Sequence, residues 1–514
     1  MRLKFVVPLV LGLLAFSTSA SSAFVDRTFV SNYENVLGTS LELKVGTPSQ
    51  TAADRAEEAV LSEIKRESLI LSAWDPNSEF SKWTRTQGQP VHVSRELFEV
   101  LDLFDQWRVR THGALDASAQ SVIAVWKAAA AHQRVPTTDE LDAAVRSVKQ
   151  QHWSLDVTKQ TATHLSNAPL VLASFTKSYI IDHAVSAAMR IGGVHSVVLN
   201  VGGDIVARGA VSEPVDIADP KDDAENAEPI AHIILHGRAV ATSGDYRRGV
   251  DIKGVHYSHI VDPRTGIPAG NIISSSVVSA NPAEAGALAT AFSILTPAES
   301  QKLAAAIPGV EYLLVEKSGH RLVSAGWSGL EASAQQPMSA ALLAAPPLVQ
   351  TPAPKRVAGL WDPTMELDIT FEIPKLAGDA KRPFIAIWIE DTDKFPVRTL
   401  ALWYHEDRFL TEVKAWFRAD RLRSLSEPTS VVRSIGAATR PPGKYTIKWD
   451  GKDQAGNFVK PGKYIVSLES SREHGTYQIN RREMTFGGSP QRVEFKPGSE
   501  LGDAVFDYHK KVAK

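Results

Sequence analysis

A chain of 514 residues, 43% hydrophobic and 22% charged, is long enough for two or three domains with full cores. Its net charge of −2 gives no electrostatic footprint for nucleic acid or a membrane surface. It has no cysteine, which excludes disulfides, a thiol nucleophile, a cysteine-held metal and a lipid on an N-terminal cysteine.

Arg2 and Lys4 precede an apolar run, Phe5 to Phe16, and a small-residue stretch, Ser17 to Ala23. This is the pattern of an export signal cleaved after Ala23, with an uncleaved anchor as the alternative, and it places the protein in the periplasm. Residues 24–332 then interleave helical and strand patterns. Helices are expected at Ala53–Ser72, at Thr138–Val148 with Thr138 as a cap, and at Phe175–Ile191. A continuous apolar strand, Ser196–Val201, runs into a Gly-Gly turn. Residues 333–357 are rich in Ala, Pro and Gln and read as an extended linker. From 358 to the end, short alternating runs at Leu367–Ile373, Phe384–Ile389, Tyr445–Trp449 and Tyr464–Leu468 are separated by turn formers. The fold class is therefore α+β: a mixed α/β domain followed by an immunoglobulin-like β-sandwich.

Five segments carry residue types suited to chemistry. Ser72 to Trp83 is a turn with aromatics that could flank a flat ring. Gly113 to Ser118 holds Asp116, which needs a partner if buried. Leu172 to Tyr179 places Lys177 early in a helix, where cation and helix terminus together suit a phosphate. Asn200 to Ile205 has two glycines that let backbone approach a ligand, with Asp204 beside them. Ala239 to Ala291 contains a Ser243-Gly244-Asp245 turn and then His259, a proton carrier beside the Asp262-Pro263 turn. Each has an ordinary structural explanation on its own.

Their order is more specific. The chain resembles the FAD:protein FMN transferases over about residues 30–330. That family opens on Met-Gly-Thr, here Leu37-Gly38-Thr39. Its Ser-x-Tyr-Asp-Pro stretch is matched from Ser72, with Trp74 for Tyr. Its Gly-Ala-Phe-Asp becomes Gly113-Ala114-Leu115-Asp116. Its Ala-Lys-Gly-Tyr becomes Thr176-Lys177-Ser178-Tyr179. Asn-x-Gly-Gly-Asp stands at 200–204, Thr-Ser-Gly-Asp-Tyr at 242–246, and Ser-His-Ile-x-Asp-Pro-x-Thr-Gly at 258–266. The resemblance implies FAD as substrate, magnesium on its pyrophosphate, and transfer of FMN to a Ser or Thr of a periplasmic acceptor protein, of the kind found in membrane-associated redox complexes. By position it assigns FAD contacts to Leu37, Trp74, Ala114, Leu115, Asp116, Lys177 and Ile260. His259 is the candidate base, and Ser174 and Thr290 are the remaining oxygen ligands for the metal.

The match has a gap. The family's Ala-Asp-Ala-Leu-Ala-Thr-Ala, whose Asp and Thr share one helix face, reads Ala285-Gly286-Ala287-Leu288-Ala289-Thr290-Ala291 here. A hard cation prefers a carboxylate, and Gly286 offers none. Two other readings therefore stand beside transfer: a flavin-binding interaction protein, and an FAD pyrophosphatase releasing FMN and AMP. Residues 358–500 resemble an uncharacterised periplasmic domain found beside flavin-transfer proteins, and the Lys444–Tyr464 segment looks like the sandwich of flagellar hook-cap proteins. Arg433 to Thr439 is similar to a degenerate flavin-acceptor motif with Thr439 at the acceptor place, against the simpler reading of a plain loop. Trp403 to Trp416 is expected to pack in a core.

Overall fold

The computed structural model describes residues 27–331 and 359–511, apart from 223, 245–248, 377–380, 406, 427–430 and 474. The expected signal peptide and linker lie outside the described residues, as do Asp245 and Tyr246.

The first part is built on an eight-stranded sheet whose strands lie side by side in chain order. They are β1 Arg27–Val36, β2 Thr39–Thr47, β3 Ser196–Val201, β4 Asp204–Gly209, β5 Ala239–Gly244, β6 Ile272–Ser279, β7 Glu311–Glu316 and β8 Arg321–Val323. Every neighbouring pair is antiparallel. Both faces are covered, which explains the continuous apolar run of β3. Val197, Leu199 and Val201 point into the larger core, and Val198 points into a second one with Ala207, Val240, Val278 and Trp327.

The labelled helices are α1 Gln50–Leu71, α2 Arg95–Arg110, α3 Thr138–Val148, α4 Thr176–Met189 and α5 Pro282–Ile294. In α1, Ala53, Ala56, Val60, Ile64 and Leu71 recur at helical spacing and are buried against α4. The α3 cap is Thr137, one residue before the expected Thr138; its hydroxyl and Glu140 form a reciprocal capping box. Helix α5 is buried on almost all sides, which its Ala-rich sequence permits, and it packs between β5, β6 and α4.

The second part is the expected sandwich. Its strands are β9 Met365–Ile373, β10 Phe384–Glu390, β11 Pro396–Trp403, β12 Gly436–Ala437, β13 Gly443–Trp449, β14 Gly462–Ser471, β15 Tyr477–Phe486, β16 Gln491–Phe495 and β17 Ala504–Lys510. They form sheets ordered β13-β9-β17-β16 and β12-β11-β10-β14-β15. Strand β10 is buried along its whole length. Ile385, Ile387 and Ile389 face the other sheet, while Phe384, Ala386 and Trp388 lie under helix α6 (Lys414–Ser426). That helix was not foreseen. Trp403 and Trp416 are buried, at 3% and 1% exposure, as core packing requires.

The two parts touch. Asn226 pairs its side-chain amide with both backbone groups of Lys448 on the edge strand β13, at 2.7 Å each. Lys448 reaches Asp222 at 3.1 Å, and Arg440 reaches Glu225 at 3.2 Å. On the other side Arg382 pairs with Glu34 of β1 at 3.2 Å.

Candidate active site

The β1–β2 turn is formed by Leu37 and Gly38, both with positive φ, at 49° and 79°. This is the two-residue hairpin geometry that matches strand twist, although Leu37 is an unusual occupant. The Gly202-Gly203 turn between β3 and β4 lies against it. A Cβ on Gly202 would stand 2.6 Å from the Thr39 hydroxyl, so only glycine fits there.

Lys177 extends from the first turn of α4 to this Gly-Gly turn. Its Nζ lies 3.2 Å from Asp204 Oδ1 and 3.4 Å from the Gly202 carbonyl. The next residue, Ser178, donates its hydroxyl to Asp204 Oδ2 at 2.6 Å. Helices α1, α2, α3 and α5 each have a side-chain N-cap, from Ser49, Ser94, Thr137 and Asn281. Helix α4 has none. Its Thr176 hydroxyl is buried, and no hydrogen-bond partner serves it. An uncapped helix start, a buried hydroxyl and an ammonium thus share the first turn of α4, the kind of terminus that suits an anion.

Gly286 of α5 crosses α4 at this point. Thr290, one turn on, donates to the Gly286 carbonyl at 3.2 Å and sits 3.4 Å from the Ser243 hydroxyl at the end of β5. Ser174, half-buried at φ 65°, precedes α4. The structure therefore brings Leu37, Lys177, Asp204 and Thr290 into one connected neighbourhood.

A second neighbourhood surrounds Asp116. Ala114 and Leu115 are each 1% exposed and belong to the core. Asp116 accepts from Ser118 N and Oγ at 2.8 and 2.6 Å, and its other oxygen lies 2.9 Å from Arg108 Nε. His152 is 4.0 Å away, and burial holds its imidazole below the usual histidine range against the pull of Asp116. Arg108, His112, Asp116, Lys149 and Arg264 line a cavity of about 340 Å³. Arg264 is held by both oxygens of Asp262 at 2.9 Å. That turn follows His259 and Ile260, both half-buried, with the Ile260 amide donating to Ser258 Oγ. His152 and Ser178 were not singled out from sequence, because their partners, Asp116 and Asp204, lie 36 and 26 positions away.

Of the two donors assigned to magnesium, Ser174 is half-buried just before α4 and Thr290 donates to the Gly286 carbonyl; Gly286 adds no side chain, and both oxygens of Asp204 are engaged by Lys177 and Ser178. Among the described residues, no carboxylate replaces the missing one. Glu284 serves the helix start instead, accepting from Ser279. Thr439 is 0% exposed, and the segment before it is not the plain loop expected: Val431–Ile435 is helical and Gly436–Ala437 is strand β12. Trp74 stands at the surface, 78% exposed, and does not yet flank anything.

The ApbE family model matches residues 37–314. A family described as "Predicted periplasmic protein (DUF2271)" matches residues 366–503. The FAD:protein FMN transferase of Klebsiella pneumoniae is 25% identical over 291 residues, covering 55% of this chain and 83% of that protein. The transferase of Treponema pallidum is 27% identical over 317 residues, covering 58% and 87%. The crystal structure of the ApbE protein of Thermotoga maritima superposes with a TM-score of 0.53 at 25% identity, covering 60% of this chain and all of that one. The flavinyl transferase ApbE of Pseudomonas stutzeri shares the fold, with a TM-score of 0.50 at 21% identity, covering 59% and 97%.

Proposed function

The chain belongs to the ApbE family, and from that starting point we propose that it is an enzyme that moves FMN from FAD onto a Ser or Thr hydroxyl of a periplasmic protein. The observation that carries this reading is the uncapped N-terminus of α4, with Lys177 reaching the Gly-Gly turn and the Thr176 hydroxyl buried without a partner in the same first turn. It is a cradle for a pyrophosphate. The amides and the ammonium bind the phosphate oxygens and stabilise charge that grows as the bond breaks. Asp204 orients the lysine and Ser178 orients Asp204.

His259 takes the proton of the incoming hydroxyl. The hydroxyl oxygen bonds to the FMN phosphorus, the pyrophosphate P–O bond breaks, and AMP departs. Leu37, Asp116 and Ile260 contact FAD in this reading, and Trp74 offers a face for stacking. The leading segment Arg2–Ala23 and the second family's description support the periplasmic setting of this reading.

The test is incubation of the full chain with FAD and a Ser/Thr acceptor peptide. Release of AMP together with FMN-modified peptide is expected, and His259→Ala should abolish both while FAD still binds. Free FMN with unmodified peptide would establish the pyrophosphatase instead. FAD binding without any AMP would leave a binding protein.

A further inference from the structure

We infer that Ser178 and Gly286 are a matched pair, and that the charge facing the FAD phosphates comes from Lys177 and the α4 N-terminus, so that FAD binds independently of magnesium. This rests on the FAD-binding reading above and goes further, to the regulation of that site by cations.

Glycine inside a helix costs about 1 kcal/mol relative to alanine, so Gly286 in the middle of α5 needs a reason. The reason is contact. A Cβ at 286 would lie 2.5 Å from Ser178 Oγ, 3.1 Å from Phe175 Cα and 3.3 Å from Ser178 Cβ. The space that a side chain at 286 would use is filled by the serine of α4. The serine hydroxyl is not idle, because it donates to Asp204 Oδ2 at 2.6 Å and leaves Oδ1 for Lys177. An ammonium has three donors, and those facing Asp204 and Gly202 leave one for a ligand.

Small and large have traded places relative to the pattern this chain resembles, which has Gly at the first position and Asp at the second. The exchange keeps packing volume and removes a metal ligand in the same step. Restoring a carboxylate at 286 alone would drive it into Ser178, and overpacking of this kind costs about 1–3 kcal/mol. The two positions must change together.

FAD affinity is measured on the full chain by flavin fluorescence, in MgCl2 and in EDTA, alongside thermal melts. The wild type should bind equally in both, and Lys177→Gln should weaken binding by about tenfold or more. Gly286→Asp should melt lower without gaining a response to magnesium. The double variant Ser178→Gly/Gly286→Asp should recover the melting temperature and bind about tenfold tighter with magnesium than without it. A wild type that loses about tenfold in affinity in EDTA overturns the inference while leaving the flavin-transferase reading intact. So does a Gly286→Asp single variant that gains magnesium dependence at no cost in stability. No FAD binding under any condition would instead sink the reading beneath it.

Discussion

The α4–α5 crossing and the Asp116 cavity are built on opposite terms. At the crossing, small residues close the space: Gly286, Ser178 and the Phe175 backbone are in contact, and the carboxylate beside them, Asp204, has both oxygens engaged by Lys177 and Ser178. At the cavity, charged groups keep about 340 Å³ open, with Arg108 on Asp116 and Arg264 on Asp262. The difference lies in how each tolerates change. A packed crossing accepts a second substitution that returns the volume. A set of mutually compensating charges does not, because removing one member strands another.

That contrast is most sharply tested at Asp116. Asp116→Ala removes the partner of a one-third-exposed Arg108 and the acceptor for Ser118, and should cost about 2–3 kcal/mol, a discounted value for a broken ion pair. Urea denaturation reads it. A loss below about 0.5 kcal/mol would mean that the cavity charges are as replaceable as surface ones.

How much of this was legible beforehand follows from the same distinction. The β3 strand and its glycine turn were readable, because a run such as Ser196–Val201 followed by Gly-Gly states its own burial and its own backbone. The place of Lys177 in the first turn of a helix was readable, since it is local. Gly286 was readable only as a loss. That Ser178 fills its space is a contact between positions more than a hundred apart, and no spacing announces it. The α3 cap slipped by one residue because Thr137 and Thr138 are equally able hydroxyls. Helix α6 was missed because its apolar residues serve the outer face of a sheet already buried on both sides.

A smaller effect separates the two regions by pH. Burial depresses His152 beside the cavity, so the unfolded chain takes up a proton that the folded chain refuses. Stability from this group is present above the ordinary histidine value, near 6.5, and falls as pH drops below it. The His183–Glu67 pair behind α4 runs the other way. Its hydrogen bond raises His183 and burial raises Glu67, so its contribution is present at low pH and fades as pH climbs. His152→Gln should flatten only the acid side of the stability profile, and an unchanged acid side would assign that loss elsewhere.

Trp74 should matter least to stability and still matter to the ligand. At 78% exposure its ring adds little to the core, so Trp74→Ala should shift unfolding by no more than about 0.5 kcal/mol. Its backbone turn does not depend on the ring, since Ser72 Oγ accepts from the Trp74 and Asp75 amides whatever the side chain. A stacked aromatic is worth about 0.5–1.5 kcal/mol, so FAD affinity should fall by roughly two- to twelvefold. Trp74→Tyr should restore most of it, because a smaller ring still presents a face. Loss of affinity in both variants would assign the role to the indole itself. Loss in neither would place the flavin ring away from this turn and leave the α4 cradle as the main anchor.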